Sequence, residues 1–186
     1  MNLIELVADS RLYTLHSHTP YCDGHASVAE MADAAVAAGF TLYGFTPHSP
    51  VPIDSPCNMS KADVDAYLAD VADVVRKHEG SGCTFLSGME IDYLGREWGP
   101  SHPYFASLPL DYTIGSVHFI PSQEGDMVDI DGSFENFRRK MDVNFHGDIE
   151  YVVRTFFSRS ADMIEAGGFD ILGHFDKIAQ NAGCYS

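Results

Sequence analysis

The chain reads as an α/β protein whose parallel strands belong to a TIM-like barrel rather than to an open sheet. Three observations predict this. Apolar strand-like runs alternate with helical segments from residue 12 to residue 174, the pattern of parallel strands joined by crossover helices. Each of the five runs is followed by a residue able to bind a metal: His16 with His18, His48, Glu90, His118 and His174. Barrels assemble their active sites at that face, from the ends of many strands. An open nucleotide-binding sheet would instead place a glycine-rich turn after its first strand, and Cys22-Asp-Gly-His25 is not that pattern. Five strands cannot close a barrel, so the chain is expected to hold about five strand–helix units of a larger one.

The elements follow in order. Leu12 to Leu15 is the first strand. Ser27-Val-Ala-Glu30 is a capping box that opens an Ala-rich helix, and Gly39 ends it. Thr41 to Thr46 is the second strand, ended by Pro47, with a Pro-rich loop from Ser49 to Asn58 behind it. Ser60 caps a helix running to about Glu79. Thr84 to Met89 and Tyr112 to Val117 are the third and fourth strands. The long loop between them carries Trp98, Pro100, Pro103 and Pro109, and loops of that length are more often functional than structural. Phe134 to Phe145 and Asp148 to Ala166 are helices, and Phe169 to His174 is the fifth strand. No internal repeat, low-complexity tract or linker interrupts the series, which predicts a single domain over residues 1–186.

Composition narrows the function. With 27 acidic and 11 basic side chains the net charge is −16, which disfavours nucleic-acid polymers and anionic membranes as partners. Bound cations would neutralise part of that charge. The four cysteines have no Cys-x-x-Cys spacing and are expected to be reduced thiols. Met1 to Ala8 lacks the basic start and apolar stretch of a secretory signal, and no run reaches membrane-spanning length, so the expectation is a cytoplasmic protein.

The site residues can be read one by one. Strand side chains alternate faces, so His16 and His18 point the same way at a strand's end. An isolated His-x-His would be two surface histidines; here four further strand ends repeat the signal. Neutral imidazoles suit divalent transition metals, and Glu90 is a carboxylate able to bridge two of them. Asp23 and His25 lie in the loop just past the pair. His78 is read as a solvated helix residue, His102 as a loop residue and His146 as a helix-end residue. The aromatic residues in Tyr151 to Phe157 recur at helical spacing and are read as core.

Five segments, His16-Ser-His-Thr-Pro-Tyr-Cys-Asp-Gly-His25, Phe45-Thr-Pro-His-Ser49, Gly88-Met-Glu-Ile-Asp92, Leu110 to His118 and Phe169 to Lys177, recur in order. In them the chain resembles the polymerase-and-histidinol-phosphatase superfamily, above all its bacterial histidinol-phosphatases. The resemblance implies a distorted (β/α)7 barrel holding up to three divalent ions, Zn, Fe or Mn. It implies that His16, His18 and Glu90 bind the first ion. Glu90 would bridge to a second, completed by His118 and His174. His48 would bind the third with one residue of the first loop, Asp23 being preferred to His25. The superfamily's last motif, Asp-Ala-His, does not occur before Ser186, so the sequence is expected to be a shortened version of a longer protein.

The implied activity is hydrolysis of a phosphomonoester, L-histidinol phosphate to L-histidinol and phosphate in histidine biosynthesis, by a metal-bridging hydroxide. Glu90 and Asp176 are the candidate catalytic carboxylates. Asp176 lies two residues past His174 and would share its face if the strand continued. Arg154, Arg159 and Lys177 are candidates to grip the phosphate, since cations are scarce. Rival readings are a nuclease or phosphoesterase on small nucleotides, a non-catalytic metal-binding domain, and an amidohydrolase, which would want a strand-end lysine that is not found. Self-association is left open by the unpaired sheet edge.

Overall fold

The computed structural model describes residues 2–185. They form two compact units, residues 2–90 with Leu108–Ile114, and Ile91–Ser107 with residues 115–185.

The first unit begins with α1 (Leu3–Asp9), a helix the sequence pattern does not predict, capped by the Asn2 side chain. β1 (Tyr13–Thr14) is the regular part of the first predicted strand. α2 (Val28–Ala38) starts at the predicted capping box: Glu30 N–H donates to Ser27 Oγ, and the Glu30 carboxylate accepts from Ser27 N–H at 2.9 Å. Gly39 closes the helix at φ 82°, a left-handed conformation that costs glycine nothing. β2 (Leu42–Phe45) follows. Ser60 caps a 3-10 turn (Lys61–Asp63), which leads into α3 (Val64–Lys77). β3 (Thr84–Asp92) and β4 (Tyr112–Ser116) each run from the first unit into the second.

β1, β2 and β3 pair in parallel, with Tyr13 opposite Leu42 and Leu42 opposite Thr84. β4 lies next to β3. Asp111 N–H donates to Ser87 O and, further along, Tyr93 N–H donates to Ser116 O. Both strands advance together between those bonds, as parallel neighbours do. Phe45 stacks on Phe85 at 6.1 Å, and the buried Tyr67 hydroxyl lies 3.0 and 2.7 Å from the Phe45 and Gly88 carbonyls. Tyr112 crosses the sheet over two positions that have no side chain. A Cβ on Gly88 would meet its ring at 2.8 Å, and one on Gly44 would strike its hydroxyl. That hydroxyl donates to Leu15 O at 2.7 Å, which anchors the chain immediately before His16.

In the second unit β4 is followed by a hairpin of two three-residue strands, β5 (Phe119–Pro121) and β6 (Met127–Asp129), with Phe119 opposite Asp129. The long loop contains a single helical turn, α4 (Pro103–Ala106). α5 (Phe134–Asn144) and α6 (Ile149–Ala166) match the predicted helices. β7 (Ile171–Leu172) takes its place beside β4, where Gly173 N–H donates to Gly115 O at 2.9 Å, and α7 (Ile178–Ala182) follows. Phe137, Met141, Phe145, Val152, Phe156 and Met163 bury their side chains against Tyr93, Val117 and Ile120. Phe156 is core, as its spacing predicts, while its neighbour Phe157 is exposed.

All five predicted strands are present, and among the described residues no cysteine is in a disulfide. Among the described residues no helix is long and apolar enough to cross a membrane.

Candidate metal centre

In the first unit three imidazoles surround one carboxylate oxygen. Glu90 Oε2 lies 3.1 Å from His48 Nδ1, 3.3 Å from His18 Nε2 and 3.8 Å from His16 Nε2. The local backbone explains each position. The parallel register of β2 and β3 continues past Pro47 to set His48 beside Glu90. Proline lacks an N–H, but here the ladder needs only its carbonyl: Glu90 N–H donates to Pro47 O at 3.1 Å and Ser49 N–H to Glu90 O at 2.8 Å. Pro47 therefore ends the regular strand without ending the pairing. The β1 side continues likewise, with Thr46 N–H donating to Ser17 O at 2.8 Å. His16 and His18 emerge on one side of that stretch, their rings 4.9 Å apart, as the alternation of a strand predicts.

His16 and His18 are each oriented through the other ring nitrogen. His16 Nδ1 lies 2.8 Å from the buried Thr46 Oγ1. His18 Nδ1 lies 2.7 Å from Asp23 Oδ1, whose second oxygen is 3.9 Å from His48 Nε2. An ionised carboxylate only accepts, so the hydrogen sits on His18 Nδ1 and Nε2 is left facing Glu90. Burial disfavours the His18 imidazolium, but Glu90 and Asp23 outweigh it and raise its pKa above the usual imidazole value. Burial also works against the Asp23 carboxylate, which His18 and His48 overcome, holding its pKa below the usual carboxylate range.

The second unit holds a smaller cluster, buried at Asp92 and His118. His118 Nδ1 lies 2.6 Å from Asp92 Oδ1, and His118 Nε2 lies 3.0 Å from His174 Nε2. Asp92 reaches this position because β3 extends beyond the predicted Met89 end.

Donor chemistry is the test of whether these groups fit a cation. His16 with His18 and Glu90, and His18 with Asp23 and His48, each bring three ligand-type atoms within 4.8 Å of one another. Imidazole nitrogens and carboxylate oxygens in that mixture suit Zn, Fe or Mn. The groups fit a divalent cation.

The remaining predicted residues divide. His25 stands outside these groups, whereas Asp23 of the same loop lies in one of them. β7 ends at Leu172, and His174 to Lys177 form a turn, so the shared strand face expected for His174 and Asp176 does not exist. Lys177 is tied to Asp131 as an ion pair, whose charge keeps the half-buried Asp131 carboxyl low against the effect of burial. Arg154 is an exposed residue paired with Glu150 at 2.6 Å, one helical turn away. Arg159 differs from both. Its guanidinium lies over the Tyr93 ring at 5.6 Å, and its buried Nε and Nη2 atoms make no hydrogen bond among the described residues. Burial lowers its pKa.

His78 is not the solvated residue its polar neighbours suggest: its ring packs on Phe85 at 5.4 Å, and its Nε2 meets Asp33 at 3.0 Å. His102 caps α4 by accepting from Tyr104 N–H. His146 follows the end of α5 at φ 50° and pairs with Glu124 at 2.9 Å. Two site residues escape the sequence reading, Thr46 and Asp92. The available signals were Thr46 preceding Pro47-His48, and the two-residue spacing of Glu90 and Asp92.

The chain can be compared with known proteins. The family model described as "PHP domain" matches residues 14–185. A Deinococcus radiodurans protein named "Probable histidinol-phosphatase" is 28% identical over 165 residues, covering 87% of this chain and 59% of the relative. A Bacillus subtilis histidinol-phosphatase is 27% identical over 117 residues, covering 56% of this chain and 43% of the relative. The chain thus spans about half the length of these two relatives. Among solved structures, a candidate histidinol phosphatase of Listeria monocytogenes superposes with a TM-score of 0.78 at 23% identity, over 94% of this chain and 70% of that one. The histidinol phosphate phosphatase of Lactococcus lactis, solved with zinc, L-histidinol and phosphate, gives 0.59 at 18% identity, over 91% and 59%. These superpositions bear out the α/β, TIM-like fold that the sequence predicts.

Proposed function

The chain belongs to the PHP domain family, and on that premise we propose that it is a metal-dependent phosphatase domain, acting on L-histidinol phosphate in the cytoplasmic synthesis of histidine. The observation that carries this reading is the buried Glu90 oxygen with three imidazole nitrogens 3.1–3.8 Å away. A fully buried carboxylate is costly unless it is paired or coordinates a cation, and here its neighbours are themselves good ligands.

His16, His18 and Glu90 would hold one ion, with Glu90 bridging to a second, and Asp23 with His48 and His118 with His174 would hold the others, up to three of Zn, Fe or Mn. When bound, such ions supply positive charge to phosphoryl oxygens and make water more acidic. The chain's own residues do the rest. Glu90, itself buried, would balance the cationic charge in a site that opens to solvent at His16 and Asp23. Asp23 and Thr46 hold His18 and His16 in orientation. Of the three candidate cations, Arg159 keeps Nε and Nη2 without a hydrogen bond among the described residues and so could take a phosphate oxygen, whereas Arg154 and Lys177 are engaged with Glu150 and Asp131. A net charge of −16 favours a small phosphorylated substrate over a polymer or a membrane surface. The names of the relatives and the zinc, L-histidinol and phosphate in the Lactococcus structure support the same substrate.

The test is phosphate release by the chelator-treated chain, reloaded with Zn, Mn or Fe, from L-histidinol phosphate, nucleoside monophosphates and short oligonucleotides. Metal-dependent release, fastest from L-histidinol phosphate, is expected. Binding of metal without release from any substrate would make this a non-catalytic metal-binding domain, and faster turnover of nucleotides would replace the substrate.

A further inference from the structure

We propose that Asp92 is a positioning residue that fixes the tautomer of His118, and thereby decides whether the His118–His174 pair can take up a cation. The inference rests on reading His118 as a ligand and adds to it a residue with no ligand role.

Asp92 is 0% exposed and His118 4%. Asp92 Oδ1 and His118 Nδ1 are 2.6 Å apart, the length of a charge-assisted hydrogen bond. Because an ionised carboxylate can only accept, Nδ1 carries the hydrogen and Nε2 presents its lone pair. That lone pair faces His174 Nε2 at 3.0 Å, so two ring nitrogens point into one small space. In this arrangement the carboxylate does two things. It sets the ring's rotation, and by drawing on the Nδ1 hydrogen it makes Nε2 a stronger donor. Burial at this depth is costly for a carboxylate serving packing alone. An amide would reverse the logic. With its NH2 toward the ring, Asn would donate to Nδ1 and move the ring hydrogen to Nε2, where it blocks a cation.

The test is zinc titration of the chelator-treated chain against a competing chromophoric chelator, together with NMR of the histidine rings. Asp92→Asn should weaken one ion by about 10- to 100-fold, leave the tighter ions unchanged, and shift His118 toward the Nε2–H form. Asp92→Glu should recover part of the affinity, which loss of packing would not predict. His118→Ala serves as the reference. If it leaves zinc content unchanged, His118 is no ligand and the underlying reading fails. If it removes an ion while Asp92→Asn keeps wild-type affinity, the positioning role alone is overturned. Should Asp92→Asn not fold, the wild-type spectrum decides: His118 protonated on Nε2 in the metal-free protein refutes the inference.

Discussion

Glu90→Gln isolates the negative charge at the centre of the first cluster while keeping the shape of the side chain. Its carboxylate oxygen lies 3.1, 3.3 and 3.8 Å from imidazole nitrogens of three histidines. A neutral amide is a poor ligand to one cation and a poorer bridge between two, so more than one ion should be lost per chain. The thermal consequence can be worked out. A ligand present at 100 times its Kd stabilises the native state by about 2.7 kcal/mol. In a chain of this length each kcal/mol raises Tm by about 2–4 °C, so metal should raise the wild-type Tm by about 5–11 °C. In Glu90→Gln that rise should nearly vanish, whatever the shift in the metal-free Tm, because removing one partner of a buried ionic cluster changes stability by itself. Differential scanning fluorimetry with and without zinc, paired with elemental analysis of the dialysed protein, gives both numbers. A variant that keeps its full metal content and its full rise in Tm would refute the central role of Glu90.

Two further outcomes follow from the same geometry. Asp23→Asn should weaken metal binding by about tenfold or more, whereas His25→Asn should leave it unchanged in the same chelator competition; equal losses would return His25 to the site. The raised pKa of His18 implies that, without metal, its imidazolium stabilises the fold fully below the unfolded value of about 6.5, and that this contribution is lost as pH rises through the higher folded value. The metal-free Tm of wild type minus that of His18→Asn should therefore fall across that window, while the zinc-induced rise in Tm grows as the imidazole loses its proton; a flat difference would refute the coupling.

What could be read from the sequence was whatever a local rule encodes. The Ser27–Glu30 box, the Gly39 stop and the His-x-His alternation depend on neighbours a few residues away, and each appears as predicted. Longer-range consequences were harder to read. Pro47 signals the end of a strand, yet pairing continues through it because the bond at that position uses a carbonyl, which proline retains. The β5–β6 hairpin was missed because strands of three residues are too short to display a period. Asp176 failed for the opposite reason: Phe169 to His174 looks like a long strand, but only Ile171 and Leu172 are regular strand, and the chain turns over His174 to Lys177. The same limit explains the unread half of the metal centre. Ligands announce themselves by residue type at strand ends, whereas Thr46 and Asp92 matter only through the ring nitrogen each one touches. That contact is set by the register of neighbouring strands: a shift of one residue in β3 would turn both Glu90 and Asp92 to the opposite face. Metal binding by this chain is therefore as much a property of strand register as of ligand identity, and a substitution that slips β3 should abolish it with every ligand still in place.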